Sequence, residues 1–301
     1  MAPQKQAVQV DGRRLTLSNL DKILYPETGF TKGEVIHYYT AIADAILPHI
    51  IDRPMTFKRY PNGVDGTFFF EKNKPNSAPD WVRTTRLPVP GSTMDRETID
   101  FVVIDDRPTL VWAANLAALE LHVPQWTVGP RGGVREPDLL VLDLDPGPPA
   151  TIVECAQVAC LLRDALAEDG LEAYPKTSGS KGMQLYAPVK ATIRTHAYAK
   201  ELAQRLEREH PKLVVHRMEK RLRPGKVLVD WSQNNTAKTT VAAYSLRARP
   251  MPTVSTPVTW DEVEACRSPD DLRFLAPDVL ERIDTLGDLH APLLEPGPAL
   301  P

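Results

Sequence analysis

The sequence predicts an α+β fold built around a substantial sheet. Three observations carry that expectation: short apolar runs bounded by turn residues recur along the chain, capping-box spacings open amphipathic helices between them, and residues 139–144 (LLVLDL) read as a core strand. The chain has 301 residues, 42% of them hydrophobic and 25% charged. That composition is globular and excludes long disorder, collagen-like and coiled-coil architectures.

Residues 8–17 read as two short strands around an Asp11-Gly12 turn. Thr31 and Glu34 form a capping box ahead of Val35, Tyr39, Ile42 and Ile46, which predicts one amphipathic helix. Residues 55–59 and 67–71 read as strands separated by Pro61-Asn62-Gly63, and residues 109–121 as a buried helix. After the core strand, Thr151 and Glu154 open a helix that runs to about Glu168 and stops at Gly170. A strand over 172–176, a Gly/Ser turn over 177–182, a further strand and a helix over about 195–209 come next. Strands over 213–217, 227–231 and 239–246 follow, then a proline-rich linker over 250–257 and two short terminal helices. No internal repeat is visible.

No apolar run approaches the roughly 18–20 residues needed to span a bilayer. The start, MAPQKQAVQVDG, lacks the apolar centre of a signal peptide, and Cys155, Cys160 and Cys266 have no metal-ligand spacing. A soluble, reducing, cytoplasmic setting is the expectation. Net charge is −3, so bulk attraction to a polyanion is excluded. Charge is nonetheless sorted. Residues 181–249 carry fifteen Lys/Arg against five Asp/Glu, and residues 260–301 three against ten. Two solvated faces would explain this; so would a groove that tracks phosphates.

The strongest chemical signal is Asp143-Leu144-Asp145 at the end of an apolar strand. Residues two apart on a strand share a face, and two close carboxylates repel unless a cation lies between them. A hard divalent ion such as Mg²⁺ or Mn²⁺ fits, although a plain turn at Asp145-Pro146-Gly147 fits the same letters. Asp230 also ends an apolar run, and three strand-end carboxylates form a ligand set for two cations. The turn Thr177-Ser178-Gly179-Ser180-Lys181-Gly182 offers N–H groups, hydroxyls and an ammonium to a triphosphate, without being a P-loop. His122 suits a structural role as well as a site. Phe68-Phe69-Phe70 must send neighbouring rings to opposite faces of a strand, so at least one could stack on a base.

The set LDLDPG (142–147), TSGSKG (177–182), VLVDWSQNN (227–235), SLR (245–247) and LHVPQW (121–126) resembles the polymerase domain of bacterial DNA ligase D. That domain belongs to the archaeo-eukaryotic primase superfamily and acts in non-homologous end joining. The likeness runs from about Thr16 to the terminal helices. It implies a primase-polymerase fold of central, mostly antiparallel sheets flanked by helices, in two sub-modules around an active-site cleft. The implied single domain spans 1–301, with a core of about 10–290. Its N-terminal sub-module covers about 10–130, its catalytic sheet about 131–250 and its terminal helices 258–290. With no ATP-ligase motif or phosphoesterase segment visible, an isolated polymerase module is expected, either stand-alone or excised from a longer chain.

By this resemblance Asp143, Asp145 and Asp230 are metal ligands and catalytic residues, holding two Mn²⁺ or Mg²⁺ ions. Ser178, near the ribose 2′-OH, and Lys181 match nucleotide contacts, as do Lys58, His122 and Arg247. Phe69 and Phe70 match aromatics that pack on base and template. Asn19, Lys22 and Lys32 match a pocket for a DNA 5′-phosphate, and Arg223 a residue that organises the primer terminus. Gln184 stands where the family usually has histidine. Glutamine can still hydrogen-bond a phosphate but carries no charge. The implied activity is template-dependent nucleotidyl transfer, preferring ribonucleotides, that fills short gaps and extends ends in break repair. Implied partners are DNA with 5′-phosphate ends or gaps, NTP or dNTP, a Ku protein and a separate ligase. The protein would act as a monomer or an end-bridging dimer, in the cytoplasm at the nucleoid. The alternatives are a two-metal nuclease or phosphoesterase, and a catalytically weakened DNA-end binder.

Overall fold

The structure, a computed structural model, describes residues 5–89 and 97–301. Strands β1 (Lys5–Val10) and β2 (Arg13–Ser18) form the expected hairpin, with Asp11 and Gly12 both at positive φ. A small pair, β3 (Ile23–Tyr25) and β4 (Phe30–Thr31), leads into α1 (Lys32–Ala41) and α2 (Ala43–Ile50). The single helix expected here bends at Ile42. The Ile46 N–H still bonds the Ile42 carbonyl, so Val35, Tyr39, Ile42 and Ile46 remain one buried stripe across the bend.

Next come β5 (Thr56–Arg59), β6 (Phe69–Glu71), the hairpin partners β7 (Thr84–Pro88) and β8 (Thr98–Val102), α3 (Arg107–Asn115) and β9 (Ala118–Val123). The helix expected over 109–121 therefore ends at Asn115. Ala117 turns the chain at positive φ, and the following residues pair with β5. A continuous apolar run does not distinguish a buried helix from a buried strand; here pairing partners distant in sequence decide.

The second half contains β10 (Leu139–Pro146), α4 (Ile152–Glu168), β11 (Tyr174–Thr177), β12 (Met183–Pro188), α5 (Thr195–Glu209), β13 (Val214–Val215) and β14 (Val227–Asp230). They form a five-stranded sheet of order β11-β12-β10-β14-β13, antiparallel except at β13–β14. Leu140, Leu142 and Leu144 of β10 share a core with Cys155, Val158 and Leu162 of α4 and Leu202 and Leu206 of α5. Each such leucine contributes about 2 kcal/mol by burial. Strand alternation then puts Val141, Asp143 and Asp145 on the opposite face.

Short β15 (Thr240–Val241) crosses back and completes a four-stranded sheet of order β15-β9-β5-β6. The strand expected over 239–246 is thus two residues long, and that over 213–217 likewise. Ala242, Ala243, Tyr244 and Leu246 pack in the first core, not the second, so chain order and packing part company before residue 250. The stretch 250–257 is not a free linker either. Thr253, Val254, Ser255 and Thr256 are buried, bridging Leu246 and, through Pro257, Lys176. The terminal helices are α6 (Trp260–Ala265), against the second core, and α7 (Ala276–Leu286), against the first. Among the described residues no helix is long and apolar enough to cross a membrane.

Candidate active site

Register places the carboxylates. Asp143 on β10 lies directly opposite Asp230 on β14, and Asp145 is two residues further along the same face. One potential ligand atom from each of the three lies within 4.8 Å of the others. Burial and then the Asp145 charge push the Asp143 carboxyl up to about 7, against the Gln184 hydrogen bond that lowers it. Asp145 is also raised, by burial and by Asp230. Such a set is short of positive charge, which is the condition a divalent cation relieves. Asp230 is held ready: its Oδ1 accepts from the Ser232 N–H (2.9 Å) and hydroxyl (2.5 Å), and its Oδ2 from the Gln233 amide (3.0 Å).

Gln184, on β12, is the other cross-strand partner of Asp143. It is buried, donates through Nε2 to Asp143 Oδ1 (3.0 Å) and accepts from Lys176 Nζ at Oε1 (2.6 Å). Both ends of its amide are thereby committed. In this structure it links Asp143 to Lys176 across the sheet. Lys176 itself is 1% exposed, and burial holds its ammonium well below the ordinary lysine range.

A second row crosses the other sheet. Phe70 on β6 pairs with Lys58 on β5, and Lys58 with Glu120 on β9; His122, two residues beyond Glu120, shares its face. His122 is therefore a strand residue and does not follow a helix. Glu120 Oε2 bonds His122 Nε2 at 2.9 Å, and its Oε1 lies 3.4 Å from Arg247 Nε and 3.6 Å from Lys58 Nζ. Burial opposes ionisation of Glu120. The His122 bond and the charges of Arg247 and Lys58 outweigh it, and the carboxyl falls to about 2. Burial pulls the His122 imidazole down.

The hairpin of residues 177–182 closes on the Ser178 N–H bonded to the Gly182 carbonyl (2.9 Å), with the Ser178 hydroxyl accepting from the Ser180 and Gly182 N–H groups. Arg247 Nη1 donates to the Ser178 carbonyl at 2.7 Å and so ties this hairpin to the cation row. Gly182 passes so near β10 that a Cβ there would sit 1.9 Å from the Leu144 carbonyl oxygen. Lys181 is exposed and, with Ser180, Arg249 and Pro146, lines a cleft of about 610 Å³ beside the hairpin.

Phe68, Phe69 and Phe70 are all exposed, and alternation holds. Phe70 lies with Lys58 (5.9 Å) and His122 (6.3 Å), whereas Phe69 faces Arg59 (5.1 Å). Phe68, to which the resemblance assigns no role, lies 4.4 Å from the Lys58 ammonium and stacks on Tyr60. Asn19, at positive φ, Lys22 and Lys32 come together around β3 and β4: the Lys22 N–H bonds the Asn19 carbonyl and the Lys32 N–H the Lys22 carbonyl. Lys32 Nζ bonds the Ser18 carbonyl at 2.6 Å, Lys22 Nζ the Asn62 amide oxygen at 2.9 Å. Burial, then Lys22 and Arg59, lower Lys32 to about 8. Arg223 donates to the Met218 carbonyl (2.6 Å), and its charge acts on Asp145.

Sequence reading missed Glu120, Lys176 and Arg59. Glu120 had a usable signal, since Glu120 and His122 share a face only on a strand; reading the segment as helix hid it.

A family model described as "LigD, primase-polymerase domain" matches residues 31–290. A multifunctional non-homologous end joining protein LigD of Mycolicibacterium smegmatis is 46% identical over 286 residues, covering 93% of this chain and 36% of that protein. A bifunctional LigD of Bacillus subtilis is 33% identical, covering 91% and 43%. The polymerase domain of Mycobacterium tuberculosis ligase D, solved in complex with DNA, superposes with a TM-score of 0.86 at 45% identity, covering 93% of this chain and 98% of that one. The chain thus spans well under half the length of these curated relatives. Fold and comparisons define a nucleotidyltransferase of the DNA-directed polymerase and primase class, with an acidic triad suited to metal. Within that class, the chain belongs to the LigD primase-polymerase domain family.

Proposed function

We propose that this polymerase fills short gaps and extends DNA ends in non-homologous end joining, preferring ribonucleotides and working with two Mn²⁺ or Mg²⁺ ions. The observation that carries the reading is the meeting of Asp143, Asp145 and Asp230 on one sheet face, with the cation row tied to the hairpin through Arg247. Asp143, Asp145 and Asp230 would hold the ions, which when bound lower the pKa of a primer 3′-hydroxyl and offset charge on the leaving pyrophosphate. Lys58, His122, Arg247 and Lys181 hold the triphosphate so that the 3′-oxygen bonds the α-phosphorus as pyrophosphate departs. The Ser178 hydroxyl pairs with the ribose 2′-OH, which favours ribonucleotides. Phe70 stacks on the incoming base, Phe69 packs towards the template, and Arg223 steadies the primer end. Asn19, Lys22 and Lys32 grip the 5′-phosphate across the gap. Ku and a separate ligase would be its partners at a break, in the cytoplasm.

The test is extension of a labelled primer on a 5′-phosphorylated gapped duplex with Mn²⁺, NTPs and dNTPs side by side. Extension is expected, faster with NTPs, and reduced to background in an Asp143→Ala, Asp145→Ala variant. Shortened primer would indicate a nuclease. DNA binding with no reaction in the parent protein would indicate an end binder.

A further inference from the structure

We infer that Glu120 is a positioning residue for nucleotidyl transfer: one buried carboxylate fixes Lys58, His122 and Arg247 as a single triphosphate cradle and ties that cradle to the Ser178 hairpin. The inference rests on the nucleotidyl-transfer reading above.

Four observations carry it. Glu120 is 1% exposed at the centre of β9, where a charge is costly unless partnered. Its partners are two cations and an imidazole: Oε1 faces both Arg247 and Lys58, and Oε2 bonds His122. The Ala248 N–H also donates to Oε1 (3.1 Å), which holds the backbone beside Arg247 in place. Arg247 then reaches the Ser178 carbonyl, so a rigid path runs from the first sheet to the nucleotide hairpin of the second.

A purely structural carboxylate would need none of these cations to face the site. Without Glu120, Lys58 and Arg247 would repel each other, and each would wait for substrate to align it. The anion has an opposite effect on ground-state binding, because it cancels positive charge that would attract a triphosphate. Its net effect is therefore alignment for the transition state at the expense of affinity.

This predicts a split that lost folding cannot mimic. Single-turnover extension, with enzyme in excess over primer–template and NTP varied, reads a rate constant and an NTP Kd that do not depend on the folded fraction. Glu120→Gln, which keeps the shape and the acceptor oxygen, should lower the rate constant tenfold or more. Its NTP Kd should be unchanged or tighter. Glu120→Asp, which keeps the charge on a shorter stem, should recover part of the rate. A Glu120→Gln rate constant within twofold of the parent overturns the inference, as does a preserved rate constant with a weakened Kd. Should Glu120→Gln not fold, Glu120→Asp decides, and a rate constant equal to the parent's overturns it. Lys58→Ala and Arg247→Ala separate the two levels. If both extend normally, the triphosphate assignment falls and this inference with it. If both fail while Glu120→Gln is normal, only the inference falls.

Discussion

Gln184 has 4% of its surface exposed, a lysine on one side and a carboxylate on the other. Replacing it with leucine removes a donor from Asp143 and leaves the buried Lys176 ammonium with the Ser255 hydroxyl as its partner. Losing the partner of a buried polar group costs roughly 1–3 kcal/mol, so Gln184→Leu should lose about 1–3 kcal/mol in a urea melt and weaken Mn²⁺ binding measured by calorimetry. Gln184→His should retain both properties, because an imidazole can accept from Lys176 on one nitrogen and donate to Asp143 from the other. Unchanged stability in the leucine variant would show that the amide does not hold Asp143. The glutamine at 184 is legible in the sequence; its direction of address, towards a carboxylate, depends on the register of β10 with β12.

The β3–β4 hairpin shows how an element can tune a charge. Burying Lys32 behind this hairpin, with the charges of Lys22 and Arg59 nearby, brings its pKa to about 8. The sign follows from the direction of the shift. A lysine lowered from 10.5 to about 8 is more fully protonated in the unfolded chain between those values, so it favours folding as pH rises through that window. Phosphate recognition goes the other way, since binding needs the ammonium. Preference for 5′-phosphorylated over unphosphorylated gapped DNA should fall by up to about tenfold per pH unit above pH 8. Anisotropy titrations of the two DNAs from pH 7 to 9.5 would measure this, and a flat ratio would remove Lys32 from the pocket. Within β9 the same dependence on setting appears in another form. Its apolar letters fit a helix until β5 and β15 supply hydrogen-bond partners on both sides.

Across the whole molecule, two cores share one seam. Val254 belongs to the first and Val258 to the second, four residues apart, and Phe274 packs against both. The two cores should therefore unfold together. Thermal melts followed by far-ultraviolet circular dichroism and by tryptophan fluorescence are expected to coincide, and two separated transitions would contradict it. The sequence by itself determined the α+β class, the capped helices, the core strand of β10 and the identity of the three acidic residues, because these follow from local propensity and period-two alternation. It also determined, through motif likeness, the nucleotidyltransferase class. Only tertiary structure decided that residues 118–123 are strand, that 253–256 is core, that Gln184 turns to Asp143 and that Glu120 gathers Lys58, Arg247 and His122. Each of these depends on partners far away in the chain, and no local pattern records which distant strand supplies the hydrogen bond or the opposing charge.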